Sequence, residues 1–474
     1  MVPNEESVPR GIVELGAAYR SGASTPTSAT RECLSRIRSL NESLNAFIAV
    51  LADSATRAAE ESDLRFKAGT PIGPLDGIPI AVKDIIYIEG VRCTAGSKIL
   101  ANNVAPYDAP AVKGLKAAGA VIIGTTNLHE FAAGTTSVNP HYGAVKNPWV
   151  RQRVSGGSSG GSAVAVATGM AAGALGTDTG GSVRIPAALC GVLGLKPTYG
   201  SVSRLGVIPL SSSLDTVGVL AQRASDAAVL LQGITWHEKD DMTTVESPPR
   251  DLPAPLVGPT SSFRVGVLRD YFQDLVEPSV EKNFEEFVSK TKSMGCSVGE
   301  AKLDGITEVY EKWFPIRRAE ATAFHLKWLE STPELYGKDV RKLLEQGRDV
   351  LAVDYISAVN SRPTHIEKFL SSMQDFDVLA APCTCIPAPE IDQTTAYIRG
   401  KEVPIYAALN RLTLPFNYVG LPVLSIPSGF VDGLPLGVQI VGKLFDEATL
   451  LRFADAFERS FGPPPVPDLG NPTA

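Results

Sequence analysis

The sequence is poor in the residues that most often carry catalysis or hold metals. Among 474 residues there are five histidines and six cysteines. His129, His141, His237, His325 and His365 are scattered and form no His-x-x-x-His pair, which disfavours a histidine-held metal centre. Cys33, Cys93, Cys190, Cys296, Cys383 and Cys385 are too sparse for a disulfide framework, and the close pair Cys383/Cys385 has no second pair at zinc spacing. The expectation is a protein with no metal and no cofactor. Positive charge is also in deficit, with 44 Lys+Arg against 51 Asp+Glu and a net charge of −7. A broad basic face is therefore not expected, nor a nucleic-acid or membrane partner that would need one. The longest weakly polar run, residues 163–176, is too short for the ~18 residues of a membrane span. The acidic start Met1-Val2-Pro3-Asn4-Glu5-Glu6 lacks the basic and apolar stretches of a leader, so a cytoplasmic location is expected.

What is abundant is apolar and small: 44% hydrophobic residues and 43 glycines. A chain of this length can bury a large dry core. Residues 9–66 read as a helical cover, because Thr25-Pro26 offers a cap and a first-turn proline and Ala29, Cys33, Ile37 and Leu40 form one apolar stripe. Ile78, Ile80 and Val82 alternate into a short strand that ends at Lys83. Asp108 is placed to cap a helix that Gly119 stops, and residues 120–123 read as a buried strand. Strand, helix and strand in that order predict an α/β fold with a large mixed sheet sandwiched between helices. Five prolines between Pro248 and Pro259 predict a surface crossing. Beyond it, strands are expected at 263–268, 377–381, 423–426 and 437–441, helices across much of 277–373, and a last helix capped by Asp446. A single domain is expected, 76–230 forming its core and 263–461 the second half of the same sheet, with a mobile tail from residue 463.

The most informative segments are rich in glycine and serine. One is Ser155-Gly156-Gly157-Ser158-Ser159-Gly160-Gly161-Ser162; another is Gly176-Thr177-Asp178-Thr179-Gly180-Gly181-Ser182-Val183-Arg184-Ile185-Pro186. Glycines before a serine let successive N–H groups approach a ligand and form an anion-binding concavity. A flexible linker is disfavoured, because apolar runs such as Ala163-Val164-Ala165-Val166-Ala167 follow directly. A phosphate loop is disfavoured as well, since no stretch fits G-x-x-x-x-G-K-[ST] and Gly194-Leu195-Lys196-Pro197 has the wrong spacing. Gly156-Gly157-Ser158-Ser159-Gly160 does fit the G-x-S-x-G elbow of α/β-hydrolases, an esterase alternative with Ser158 as nucleophile. The polar segment Asn147-Pro148-Trp149-Val150-Arg151-Gln152-Arg153 stands where that elbow needs a strand.

These segments, with Gly77-Ile78-Pro79-Ile80-Ala81-Val82-Lys83-Asp84 and Gly194-Leu195-Lys196-Pro197-Thr198, resemble the amidase signature family. The resemblance runs, more weakly, from about residue 10 to 460. It implies Ser182 as nucleophile, Ser158 as relay after a cis Gly157–Ser158 bond, and Lys83 as base. It implies an oxyanion hole made by the N–H groups of Thr179, Gly180, Gly181 and Ser182, and orienting roles for Ser159, Asp178 and Arg184. The chemistry is coherent, because lysine accepts a proton only when burial lowers its pKa from about 10.4 towards neutrality. Phe131, Ala132, Gly134 and Thr135 are expected to line the acyl pocket.

One branch of the family, the glutamine-using component of tRNA-dependent amidotransferases, takes ammonia from glutamine and carries an acid before its Thr-x-Pro-x-Asn segment. Here that segment reads Asn410-Arg411-Leu412-Thr413-Leu414-Pro415-Phe416-Asn417. The tyrosine-rich motif of that branch is replaced by Val353-Asp354-Tyr355-Ile356-Ser357-Ala358-Val359. The expectation is therefore a stand-alone amidase for aliphatic or aryl amides, extending to carbamates, and the glutamine-using component is the alternative. The partner expected is a small-molecule amide or carbamate, with no nucleic acid and a monomeric or homodimeric state. A scaffold protein that keeps the fold without activity is a further alternative.

Overall fold

A computed structural model describes residues 11–246, 252 and 263–469. Eleven strands build the main sheet: β1 (Phe47–Val50), β2 (Pro79–Lys83), β3 (Val121–Thr126), β4 (Gly173–Asp178), β5 (Leu193–Lys196), β6 (Thr216–Ala221), β7 (Arg264–Leu268), β8 (Ser297–Ala301), β9 (Val378–Pro382), β10 (Val423–Val431) and β11 (Leu434–Val441). Their order across the sheet is β1-β3-β2-β4-β6-β5-β10-β11-β9-β7-β8. β2 runs parallel to both β3 and β4, β7 pairs in parallel with β8 and β9, and every other pairing is antiparallel. The sheet is mixed, as the strand–helix–strand order predicts, and helices flank it.

The helices that matter here are α1 (Ile12–Ser21), α2 (Pro26–Leu44), α3 (Ala52–Lys67), α4 (Pro110–Ala117), α5 (Gly160–Ala167), α6 (Arg184–Cys190), α7 (Ile306–Ser331), α8 (Lys338–Gly347) and α9 (Glu447–Phe461). In α2 the Thr25 hydroxyl accepts from the Ser28 N–H, and Ala29, Cys33, Ile37 and Leu40 are buried. In α9 the Asp446 carboxylate accepts from the Thr449 N–H, and Leu450, Phe453 and Phe457 face the core.

Several expectations are corrected. The cover over 9–66 is interrupted by β1, which pairs with β3 and so belongs to the sheet. Asp108 does not cap α4; its carboxylate takes the Glu89 N–H and the Lys116 ammonium instead. Residues 297–301 form the edge strand β8 rather than helix. The proline-rich crossing, apart from Leu252, lies outside the described residues, as do 470–474 of the tail.

Lys83 and the glycine- and serine-rich segments sit at the centre of this framework. β2 is inserted between β3 and β4, so its last residue is enclosed from both sides. The Gly/Ser loop leads into α5, and the segment after β4 leads into α6. Every residue from Val154 to Thr198 is buried.

Candidate active site

Lys83 closes β2 with no solvent exposure, so its ammonium loses hydration with no carboxylate in contact. Burial pulls its pKa down to about 7, partly opposed by the charges of Asp215 and Asp178. Asp84, next in sequence, does not oppose the shift. Its carboxylate turns to the N–H and hydroxyl of Thr94, and burial pushes its own pKa up to about 7.

Lys83 Nζ lies 2.7 Å from Ser158 Oγ and 2.8 Å from Thr177 Oγ1. Ser158 follows a cis Gly157–Ser158 peptide, as the resemblance implies. Its carbonyl accepts from the His129 N–H at 3.1 Å and the Ser137 hydroxyl at 3.2 Å, which fixes the loop that carries its side chain. The Ser159 hydroxyl lies 3.2 Å from both N and O of Thr177, and the Ser159 N–H donates to the Ser182 carbonyl at 3.1 Å. One serine thus fastens both glycine-rich segments to β4. Ser182 keeps 6% exposure, whereas Lys83 and Ser158 keep none.

Asp178 and Arg184 form a fully buried ion pair at 3.0 Å. Burial alone would raise the Asp178 carboxyl, but the Arg184 guanidinium outweighs it and holds the acid well below the usual range. The carboxylate also accepts from the N–H groups of Gly181 (2.8 Å) and Val183 (3.1 Å) and from the Asn417 amide. Arg184 reaches on to Thr413 O, Gln439 Oε1 and Asn417 Oδ1. The N–H of Gly181 is therefore already committed. Of the four expected oxyanion donors, Thr179, Gly180 and Ser182 remain.

Gly181 adopts φ +122°, and a Cβ there would sit 2.2 Å from Thr413 Oγ1, so only glycine fits. The carbonyls of Thr179 and Gly180 are held by the Trp313 indole N–H (3.1 Å) and the Thr413 hydroxyl (2.6 Å). The Thr179 hydroxyl donates to buried Asp215. The sequence reading gives no site role to Thr177, Ser137, Trp313, Thr413 or Gln439. Of these, Thr177 lies in a glycine-rich segment and Thr413 in the Thr-x-Pro-x-Asn segment, the only signals that point to them.

A cavity of about 390 Å³ is walled by the segment that follows His129 and by helix α7, and none of Lys83, Ser158 or Ser182 lines it. Gly134, Thr135, Thr136, Arg317 and Tyr406 are among the residues lining it. Phe131 and Ala132 do not line it. The Phe131 ring turns into an aromatic cluster with His325, Trp328 and Tyr336. The Arg411 guanidinium stacks 4.0 Å from the Tyr271 ring centroid, while Asn410 is buried with its Oδ1 unpartnered. The esterase alternative lacks its parts: no strand runs directly into Ser158, residues 145–157 holding none, and Ser158 Oγ meets Lys83 instead of a histidine. Cys383 and Cys385 are buried thiols whose pKa values burial raises to about 12. Among the described residues no group of three His, Cys, Asp or Glu side chains is placed to hold a metal, and no helix is long and apolar enough to cross a membrane.

Comparison with known proteins gives the family of the chain. The family model described as Amidase matches residues 28–451. The A subunit of glutamyl-tRNA(Gln) amidotransferase from Chloroflexus aurantiacus is 39% identical over 469 residues, covering 94% of this chain and 96% of that protein. A solved chain from a vestigial protein complex bearing on the origins of an s-triazine catabolic enzyme is 33% identical, with a TM-score of 0.92 over 96% of this chain and 99% of its own. The solved structure of the corresponding amidotransferase chain from Thermotoga maritima is 32% identical with a TM-score of 0.80, over 94% and 95%. Relatives named as part of a glutamyl-tRNA enzyme overturn the expectation of a monomer or homodimer with a small-molecule partner and no nucleic acid. Net charge misled because it describes one chain, whereas a basic face can be supplied by another chain of an assembly. A buried lysine against a loop serine, on a mixed sheet matched along almost its whole length, makes this chain a member of the amidase family, the amidase signature enzymes.

Proposed function

We propose that the chain cleaves a carboxamide C–N bond through an acyl-enzyme on Ser182. Neutral Lys83 accepts a proton from Ser158, Ser158 takes the proton of Ser182, and Ser182 Oγ attacks the amide carbonyl. The N–H groups of Thr179, Gly180 and Ser182 stabilise the oxyanion, where one donor is typically worth about 100- to 1000-fold in rate. Ser158 then protonates the departing nitrogen, and water, deprotonated along the same path, cleaves the Ser182 ester. The observation that carries this reading is the 2.7 Å approach of a wholly buried Lys83 to Ser158, with Ser182 held one loop away.

For the amide itself, the near end-to-end likeness to these amidotransferase chains supports release of ammonia from a glutamine-type carboxamide within an assembly. A second reading, an amidase for another carboxamide, is favoured by Asn410 and Arg411 standing where that branch carries an acid. The test is labelling by a fluorophosphonate, followed by assays of glutamine, an anilide and a phenylcarbamate with and without candidate partner proteins. Labelling at Ser182, lost in Ser182→Ala, is expected. An unlabelled native chain, or normal turnover by Ser182→Ala, refutes the mechanism. Glutamine turnover only with a partner supports the first reading, and anilide turnover by the chain alone supports the second.

A further inference from the structure

The cavity lined by Gly134, Thr135 and Thr136 holds a cation that the chemistry above does not use. Arg317 lies on α7 one turn after Trp313 and is 3% exposed. Its guanidinium rests 5.1 Å from the Trp313 ring centroid and 5.7 Å from that of Tyr406. Those rings attract the cation but do not satisfy its N–H donors as an oxygen acceptor would. Its Nε and Nη1 have no hydrogen-bond partner, although both are buried. A guanidinium stays charged under nearly all conditions, and leaving its donors unmet is costly, so such a group calls for an acceptor. The one carboxylate in the cavity lining, Asp339, is engaged 2.9 Å from His129 Nε2. Arg318 and Lys342 add two more cations to the wall, so the cavity carries a surplus of positive charge.

The position of Arg317 relates it to the reaction. The Trp313 indole that it covers is the group that holds the Thr179 carbonyl, and a Cβ on Gly180 would sit 2.7 Å from that indole. Thr136 also lines the cavity, and its backbone N lies 2.9 Å from where a Gly157 Cβ would project. Arg317 thus stands one indole away from the oxyanion segment, within a cavity that Thr136 connects to the loop of Ser158.

We propose that Arg317 binds a carboxylate carried on the acyl portion of the substrate, making this an amidase for amides of dicarboxylic acids and their amino derivatives. This rests on Ser182 being acylated; it adds which acyl groups reach it. The test compares kcat/KM of the full-length protein, with any partner protein it requires, on glutaramate, on its methyl ester and on pentanamide. These three amides differ chiefly in the remote anion. The expected preference for glutaramate is at least about 100-fold, expressed mainly in KM. Arg317→Gln should reduce it to below about fivefold, and Arg317→Lys should restore part of it. Glutarate should also slow fluorophosphonate labelling of Ser182 in the native protein, and should not do so in Arg317→Gln. A native preference near one, an undiminished preference in Arg317→Gln, or no protection by glutarate overturns the proposal while Ser182 still labels. Failure of Ser182 to label overturns the underlying mechanism instead. If Arg317→Gln does not fold, the native preference and glutarate protection decide.

Discussion

The mechanism requires a neutral lysine, and the pH dependence of Ser182 acylation reports on it directly. Lys83 is held at about 7, so at pH 6 about a tenth of the molecules carry the free base and at pH 8 about nine-tenths do. The rate of fluorophosphonate labelling should therefore rise about tenfold per unit below the midpoint and flatten above it. The probe needs no knowledge of the amide, so it isolates the triad. Two perturbations fix the assignment. Lys83→Met should remove the limb and slow labelling by roughly 100- to 10,000-fold, the usual worth of a positioned base. Asp215→Asn removes a nearby negative charge that holds the lysine pKa up, so the limb should move to lower pH, by about one unit for a loss of about 1.4 kcal/mol.

A competing group must be excluded, because burial also brings Lys196 down to about 7. Its Nζ donates to the Pro197 carbonyl at 2.8 Å and has no serine partner, so Lys196→Met should leave a limb in the profile. The linkage adds an independent check. A lysine near 10.5 when unfolded and near 7 when folded binds its proton more readily in the unfolded chain between those values. Stability should therefore rise with pH from about 7 to 10.5, and Lys83→Met should flatten part of that slope in denaturant titrations. A labelling profile that is flat from pH 5.5 to 8, or a limb that survives in Lys83→Met, refutes the reasoning.

Ser158→Ala should cut labelling and turnover by roughly 100- to 10,000-fold without moving the denaturation midpoint far, since its hydroxyl makes the Lys83 contact while its carbonyl holds the loop. Asp178→Asn leaves Arg184 buried without its countercharge and should cost about 3–5 kcal/mol in chemical denaturation; an unchanged midpoint would contradict the buried pair. Gly180→Ala drives a methyl against the buried Trp313 ring at 2.7 Å and should displace an oxyanion donor, lowering kcat and also destabilising the fold by about 1–3 kcal/mol. Equal kcat in that variant would remove Gly180 from the donor set.

How much of this is legible in the sequence follows from where each contact comes from. Lys83, Ser158 and Ser182 lie in short stretches whose glycine and serine spacing constrains the backbone locally, and the family resemblance of those stretches is enough to suggest their roles. The mixed sheet is legible for the same reason: β2 and β3 announce themselves by alternation and a buried apolar run. β1 is hidden because residues 46–50 form one apolar run between two helical stripes, and pairing with β3 decides its state. The supports of the site have no local signature. Arg184 is completed by Thr413 and Gln439, 229 and 255 residues away, through contacts that no spacing rule encodes. Arg317 is the sharpest case. Arg317-Arg318 within a helical segment reads as a solvated pair, and only the fold turns the first of them inward, between two aromatic rings. Chemistry carried by a motif can be read from order along the chain. Specificity set by one side chain requires the walls of the cavity first.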